Sequence, residues 1–146
     1  MSWKHLEDNN SELAAFGVAR LHGSVAYLAT IRKDGSPRVH PMTPIIGQGR
    51  LFVFMEPTSP KGHDLRRDGR YAIHCSVNDT SGASGEFSVS GQSRLVEDAE
   101  TRSLAVKLAP YTPADRYILF EFDVESASST VYGDGKPVYV HWKRET

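Results

Sequence analysis

Val25-Ala-Tyr-Leu-Ala-Thr-Ile31, then Lys33-Asp-Gly-Ser36, then Pro37-Arg-Val-His-Pro-Met-Thr-Pro-Ile-Ile46, and after Gly47-Gln-Gly49 the run Leu51-Phe-Val-Phe-Met55, form the stretch on which the fold turns. The first segment is rich in strand formers. Asp34-Gly35 between two extended runs is a strong hairpin signal, because glycine takes positive φ without penalty. Pro37, Pro41 and Pro44 lack a ladder donor, so the second strand is expected to be edge-like or bulged. The turn at Gly47 to Arg50 leads into a buried strand, Leu51 to Met55. It suggests that the strand beginning at Pro37 pairs with the one beginning at Leu51.

The period changes on either side of this β-rich stretch. Upstream, Met1 to Asn10 reads as a polar lead-in, and Asn10 or Ser11 caps a helix running to about Leu21, stopped by Gly23. Downstream, Ser59 as N-cap with Pro60 at the first helical position starts a helix to Asp68. Tyr71 to Val77 is a strand, Asn78 to Ser84 a polar loop, and Glu86 to Val96 an alternating strand with Phe87, Val89 and Gly91 on one side. Asp98 caps a helix over Ala99 to Leu108, and Tyr111 to Asp115 is a loop. Tyr117 to Val124 and Pro137 to Trp142 are strands, the latter after a turn at Gly133-Asp134-Gly135. About seven strands with hairpin-length turns and no β-α-β alternation predict a mainly β protein, an antiparallel barrel with short helices inserted.

The chain has 146 residues, which fits a single domain spanning 1–146. Its formal net charge is −1, so no global field gathers nucleic acid or an anionic membrane; any anion site must be local. One cysteine, Cys75, makes no intrachain disulfide and suits a reducing compartment. With no secretory pattern at the N-terminus and no run near the ~20 apolar residues of a membrane span, a soluble cytoplasmic protein is expected. The histidines show no metal-ligand spacing, so no metal site is expected.

Three features carry chemistry. The capped turn at Thr58, Ser59 and Lys61 leaves backbone N–H groups and a positive dipole end, two hydroxyls and one full charge together, which suits a phosphate. An ordinary capped surface helix with a solvated lysine would look the same in sequence. Arg38 shares a strand face with His40 and Met42, and could reach the same anion if its strand pairs with the one beginning at Leu51. Pro41 to Pro44 break ladder hydrogen bonding and free backbone groups for the edge of a flat heteroaromatic ligand. No phosphate loop, dinucleotide fingerprint or nucleophile elbow is present, and no general acid or base stands out.

Taken in order, residues 27–42, 51–55 and 59–74 resemble the flavin-binding split-barrel superfamily of pyridoxamine 5′-phosphate oxidase-like proteins, a likeness extending from Val25 to Val96. The resemblance implies a six-stranded antiparallel split barrel acting as a homodimer, with FMN in a groove between subunits. Open strand edges independently favour a partner copy. The family pattern carries cofactor contacts onto Arg38, Val39, His40, Pro41, Met42 and Thr43, onto Phe54 and Met55, and onto Ser59 and Lys61. Pro60 stands where the family's phosphate grip has an arginine. Glu86 falls near a position where the oxidases place a glutamine. The C-terminal Tyr139-Val-His-Trp-Lys-Arg-Glu-Thr146 lacks the Arg-x-His-Asp-Arg pattern of true pyridoxamine 5′-phosphate oxidases, so that activity is not supported. What is implied is an FMN-dependent oxidoreductase acting on a small molecule. The same fold also serves deazaflavin-dependent reductases, haem binders and non-catalytic flavin-binding modules.

Overall fold

The computed structural model describes residues 2–133 and 135–145. Met1, Asp134 and Thr146 lie outside them, and with Asp134 the middle of the expected Gly133–Gly135 turn. Two helices open the chain, α1 (Ser2–Asn9) and α2 (Ser11–Leu21). β1 (Ala26–Ile31), β2 (Pro37–Met42), β3 (Ile45–Gly47) and β4 (Arg50–Met55) follow. Then come α3 (Pro60–Arg67), β5 (Arg70–Cys75), β6 (Glu86–Leu95), α4 (Ala99–Leu108), β7 (Ile118–Gly133) and β8 (Lys136–Lys143).

All strand pairs are antiparallel, in the order β2-β1-β5-β6-β7-β4-β3, with β8 added on β7. The two ends of that path, β2 and β3, are consecutive in the chain and separated only by Thr43 and Pro44. Three chain steps from Met42 to Ile45 reach about 11 Å at most, so the sheet must curl until its edges nearly meet. That is an antiparallel split barrel. Counted as one bent stretch, β2 and β3 leave six members on the closed path. The sheet nevertheless has eight strands rather than six, because the chain breaks at Pro44 and β8 lies off the path.

Two expectations are corrected. The strand read as Pro37 to Ile46 does not pair with β4 as a whole: β2 pairs with β1, and only β3 pairs with β4, Ile45 opposite Phe52. Pro44 offers no N–H, and its carbonyl turns to accept from Gly23 N at 2.9 Å. The polar lead-in is a helix, α1, held by Trp3 and Leu6, both fully buried. Gly17 of α2 lets that layer close. A Cβ there would lie 2.8 Å from the Trp3 ring and would also overlap Phe87.

The barrel interior follows the pleat. Leu28, Ile73, Phe87, Val89, Phe120 and Phe122 point inward with Leu51, Val53 and Met55. β4 is buried on both faces, and its other side, Phe52 and Phe54, packs with Ile45, Leu119 and Ala105 of α4. No helix of the described residues is long and apolar enough to cross a membrane.

Candidate functional site

The end of β4 runs into α3 through Glu56 to Ser59. Ser59 N donates to Glu56 O at 3.1 Å, and the Ser59 side chain caps the helix by accepting from Gly62 N at 3.2 Å. His63 N donates to Ser59 O at 3.2 Å. Pro60 carries no N–H. The expected free backbone donors of this turn come down to two, Thr58 N–H and Lys61 N–H, for which no acceptor is found among the described residues. The Ser59 hydroxyl, accepting from Gly62, keeps its own proton to give. The Lys61 side chain is half-buried, and burial pulls its pKa below the ordinary lysine value. Among the described residues no carboxylate pairs with it, whereas Arg38, Arg50, Arg67, Arg70, Arg94, Arg116 and Arg144 each hold one.

Arg38 is tied to α3. Its Nε donates to Asp64 Oδ2 at 2.7 Å, and the same buried carboxylate accepts from Thr30 Oγ1 at 2.8 Å and from Arg67 at 3.1 Å. Burial alone would raise the Asp64 pKa, but hydrogen bonds from Arg38, Thr30 and Arg67 hold it below the usual carboxylate range. Arg38 thus docks β2 onto α3 as well as adding charge. His40, two residues on and half-buried, has its pKa lowered by burial and then by the positive charges of Lys61 and Arg38.

Beyond His40 the end of β2 opens on a cavity of about 310 Å³ lined by Pro41, Met42, Thr43, Phe54, Met55, Glu56, Lys61, Tyr111 and Tyr117. It gathers six of the residues expected from sequence: Pro41, Met42, Thr43, Phe54, Met55 and Lys61. Ser59 sits at the adjoining cap and Arg38 and His40 on the neighbouring strand face, outside the lining. Val39 points outward and is 62% exposed. Glu86 is not at this site. It lines a separate hollow with Asp79, Gly82 and Tyr132.

Sequence reading missed three lining residues. Glu56 is held by Arg116, whose Nε lies 3.0 Å from both carboxylate oxygens, and these hydrogen bonds keep its pKa low. Tyr117 begins the approach to β7, and its carbonyl accepts from Arg102 at 2.7 Å. Tyr111 stands half-exposed at the mouth, its pKa raised by burial and then by Tyr117. Only the tertiary path of the α4–β7 loop brings these tyrosines to β4; no local spacing marks them.

A larger hollow, about 720 Å³, lies between α2 and the 78–84 loop. Its charged groups are already used: Arg20 donates to Ser84 O, Gly85 O and Ser76 O, all at 2.6 Å, and Asp79 accepts from Ser81 and Ser84. Size is outweighed there by saturation. The smaller cavity holds Lys61, which has neither a carboxylate nor a carbonyl partner for its side chain among the described residues.

A sequence model of the family described as pyridoxamine 5′-phosphate oxidase matches residues 19–137. The chain belongs to the pyridoxamine 5′-phosphate oxidase family. Among curated proteins, none matches it by sequence. Solved structures with the fold of this oxidase-family chain include a heme binding protein from Mycobacterium smegmatis, at 20% identity and TM-score 0.69 over 89% of this chain. The chain spans 57% of that protein's length. PhzG from Burkholderia lata 383, in complex with tetrahydrophenazine-1-carboxylic acid, is similar at 17% identity and TM-score 0.66, covering 97% of this chain and 87% of PhzG. A NimC/NimA family protein from Clostridium acetobutylicum is similar at 17% identity and TM-score 0.64, covering 97% and 94%. At these identities the likeness establishes the oxidase-family fold and no activity.

Proposed function

We propose that the chain binds FMN in the cavity beside Lys61 and, as a homodimer, uses it to oxidise or reduce a small organic molecule. The observation that carries this reading is Lys61: a half-buried ammonium with no carboxylate partner among the described residues, facing a cavity lined by Met42, Phe54 and Met55. An unpaired cation next to an apolar slot suits a ligand with an anionic tail and a flat apolar body.

The donor set fits that group. Lys61 Nζ, Lys61 N–H and the Ser59 hydroxyl proton all lie within one turn of chain. Gly62 leaves room beside them, where a Cβ would come within 3.1 Å of Ser59 Oγ and 3.4 Å of Met55 Sδ. Thr43, Met42 and Pro41 would run along the ring, with Val39 and His40 toward the ribityl end and Arg38 adding charge from the strand face. When bound, FMN supplies two-electron redox chemistry at its ring. The residues of this chain bind, orient and shield: Phe54, Met55 and Met42 keep water from the inner side, and the Tyr111 hydroxyl offers a hydrogen bond at the mouth.

The cavity is shallow on one copy, and the sheet face beside it is unusually bare. Tyr27, Val39 and Val25 are exposed on β1, on β2 and just before β1. Further across the same sheet, Ser88 pairs with Ser128 at 3.0 Å and Ser90 with Ser126 at 2.7 Å, giving a flat surface of small side chains. A flat face with apolar residues beside the cavity suits a second copy that covers both.

The test is the visible spectrum of protein purified without added cofactor, mass spectrometry of what heating releases, and FMN titration of the apoprotein. One FMN per chain with reversible bleaching by a reductant is expected. A haem spectrum, preference for a deazaflavin coenzyme, or no binding of FMN would overturn the assignment.

A further inference from the structure

The inner face of β2 presents Arg38, His40 and Met42 in succession. Arg38 meets Asp64 of α3 at 2.7 Å, and Met42 lines the cavity with Lys61 of the same helix. Asp64 and Lys61 are three residues apart, so they share one helix face. His40 is therefore framed between an ion pair on one side and an unpaired ammonium on the other. Leu28 of β1 lies opposite it in the sheet. The charges acting on it are Lys61 and Asp64 of α3, Arg38 of its own strand and Arg32 before the β1–β2 turn.

Resting on the FMN reading, we infer that His40 is the third cation of the phosphate site, taking a proton from solvent when a terminal phosphate monoester binds. Arg38 is largely answered by Asp64, so the resident charge free to meet a ligand is that of Lys61. A phosphate monoester brings about −1.5 to −2 at neutral pH. One lysine leaves roughly a unit of negative charge unbalanced, and protonation of the adjacent imidazole supplies it. Without a ligand, burial and the two neighbouring cations keep His40 neutral; an arriving dianion reverses the field at that ring. His40 thus does the work of the arginine that Pro60 displaces, and it makes the grip dependent on pH. The site selects a dianionic monoester over a monoanionic diester, because the diester recruits the proton less.

The experiment titrates FMN and riboflavin 4′,5′-cyclic phosphate into the apoprotein at pH 8.0 and 6.5, with calorimetry in buffers of different ionisation heat to count protons. For the wild type, FMN affinity rises toward pH 6.5 by up to roughly 30-fold, the span open to one proton over this range, with proton uptake on binding. The cyclic diester shows neither. His40→Gln binds FMN with a flat pH profile and no extra uptake. His40→Lys, a permanent cation, binds tightly at pH 8.0 without the slope. If His40→Gln keeps the wild-type slope, or the diester takes up as many protons as FMN, the inference fails and the FMN reading stands. If FMN binds at neither pH, both fail.

Discussion

Replacing Lys61 with methionine removes the charge and keeps the stem, and it separates a lysine that serves a ligand from one that serves the fold. A charge-assisted hydrogen bond contributes about 1.5–3 kcal/mol. With the ammonium half-buried and partly screened by salt, about 2 kcal/mol is reasonable, which is roughly a 30-fold rise in the Kd for FMN. The unliganded fold should respond in the opposite sense. Burial lowers the Lys61 pKa, so the folded chain binds this proton less well than the unfolded chain. Stability then rises with pH between the depressed folded value and the unfolded one, and at neutral pH the charged lysine is a small liability. Lys61→Met is expected to leave the apoprotein's Tm unchanged or slightly higher. The stabilisation at a fixed saturating FMN concentration should fall by about 2 kcal/mol, or about 4–8 °C of ligand-induced shift for a domain of this size. Quenching of flavin fluorescence gives the Kd, and thermal melts with and without FMN give the shift. An FMN Kd within twofold of wild type, or an apoprotein clearly destabilised by the change, would show that Lys61 serves an internal partner.

Asp64→Asn removes the buried carboxylate that joins Thr30, Arg38 and Arg67 and should cost about 2 kcal/mol in urea unfolding, because the part-buried Arg38 guanidinium loses its counter-charge. Since the folded Asp64 pKa is depressed, its contribution is complete above about pH 4 and is lost as pH falls through the folded value; the variant's acid-unfolding profile should be flatter in that window. Gly17→Ala should destabilise by about 1–3 kcal/mol, read from the melting temperature, because the added methyl overlaps Phe87 and Trp3. Val39→Asp places a charge on the bare face beside the cavity; light scattering is expected to show a dimer for the wild type and a monomer for the variant, and a dimer unchanged by the substitution would move the interface elsewhere.

Elements written by short-range chemistry were legible. Asn10, Ser59 and Asp98 each cap a helix by accepting from the N–H three residues on, a bond that depends on nothing distant. The Asp34-Gly35 hairpin is equally local: Gly35 takes φ 89°, and Asp34 accepts from Ser36 N at 2.9 Å. The unbroken apolar run Leu51 to Met55 reads as a buried strand, and the two core clusters bury β4 on both faces. Where a neighbour decides the outcome, the reading stopped short. The second half of β7, Ser126 to Gly133, has too little apolar character to mark a strand; it exists because Ser88 and Ser90 of β6 and the whole of β8 pair with it. In α1, two apolar side chains suffice because Trp3 reaches Phe87, 84 positions further along the sequence.

The same division runs through the site and explains why its parts differ in how plainly they can be read. Lys61 and Ser59 occupy one helical turn, so their convergence follows from the cap. Arg38 looked like a ligand contact on the supposition that β2 lies beside β4. In the sheet those strands sit far apart in the pairing order, and curvature brings their ends back to a common cavity. Six of the expected residues therefore meet there, though for a different reason: closure of the barrel, with Arg38 bound to Asp64 as the clasp that fixes α3 over β2. The clasp also explains why Lys61 stands unneutralised. α3 carries its carboxylate one turn further on, where Arg38, Thr30 and Arg67 engage it, so among the described residues α3 has no carboxylate to spare for the lysine at its head.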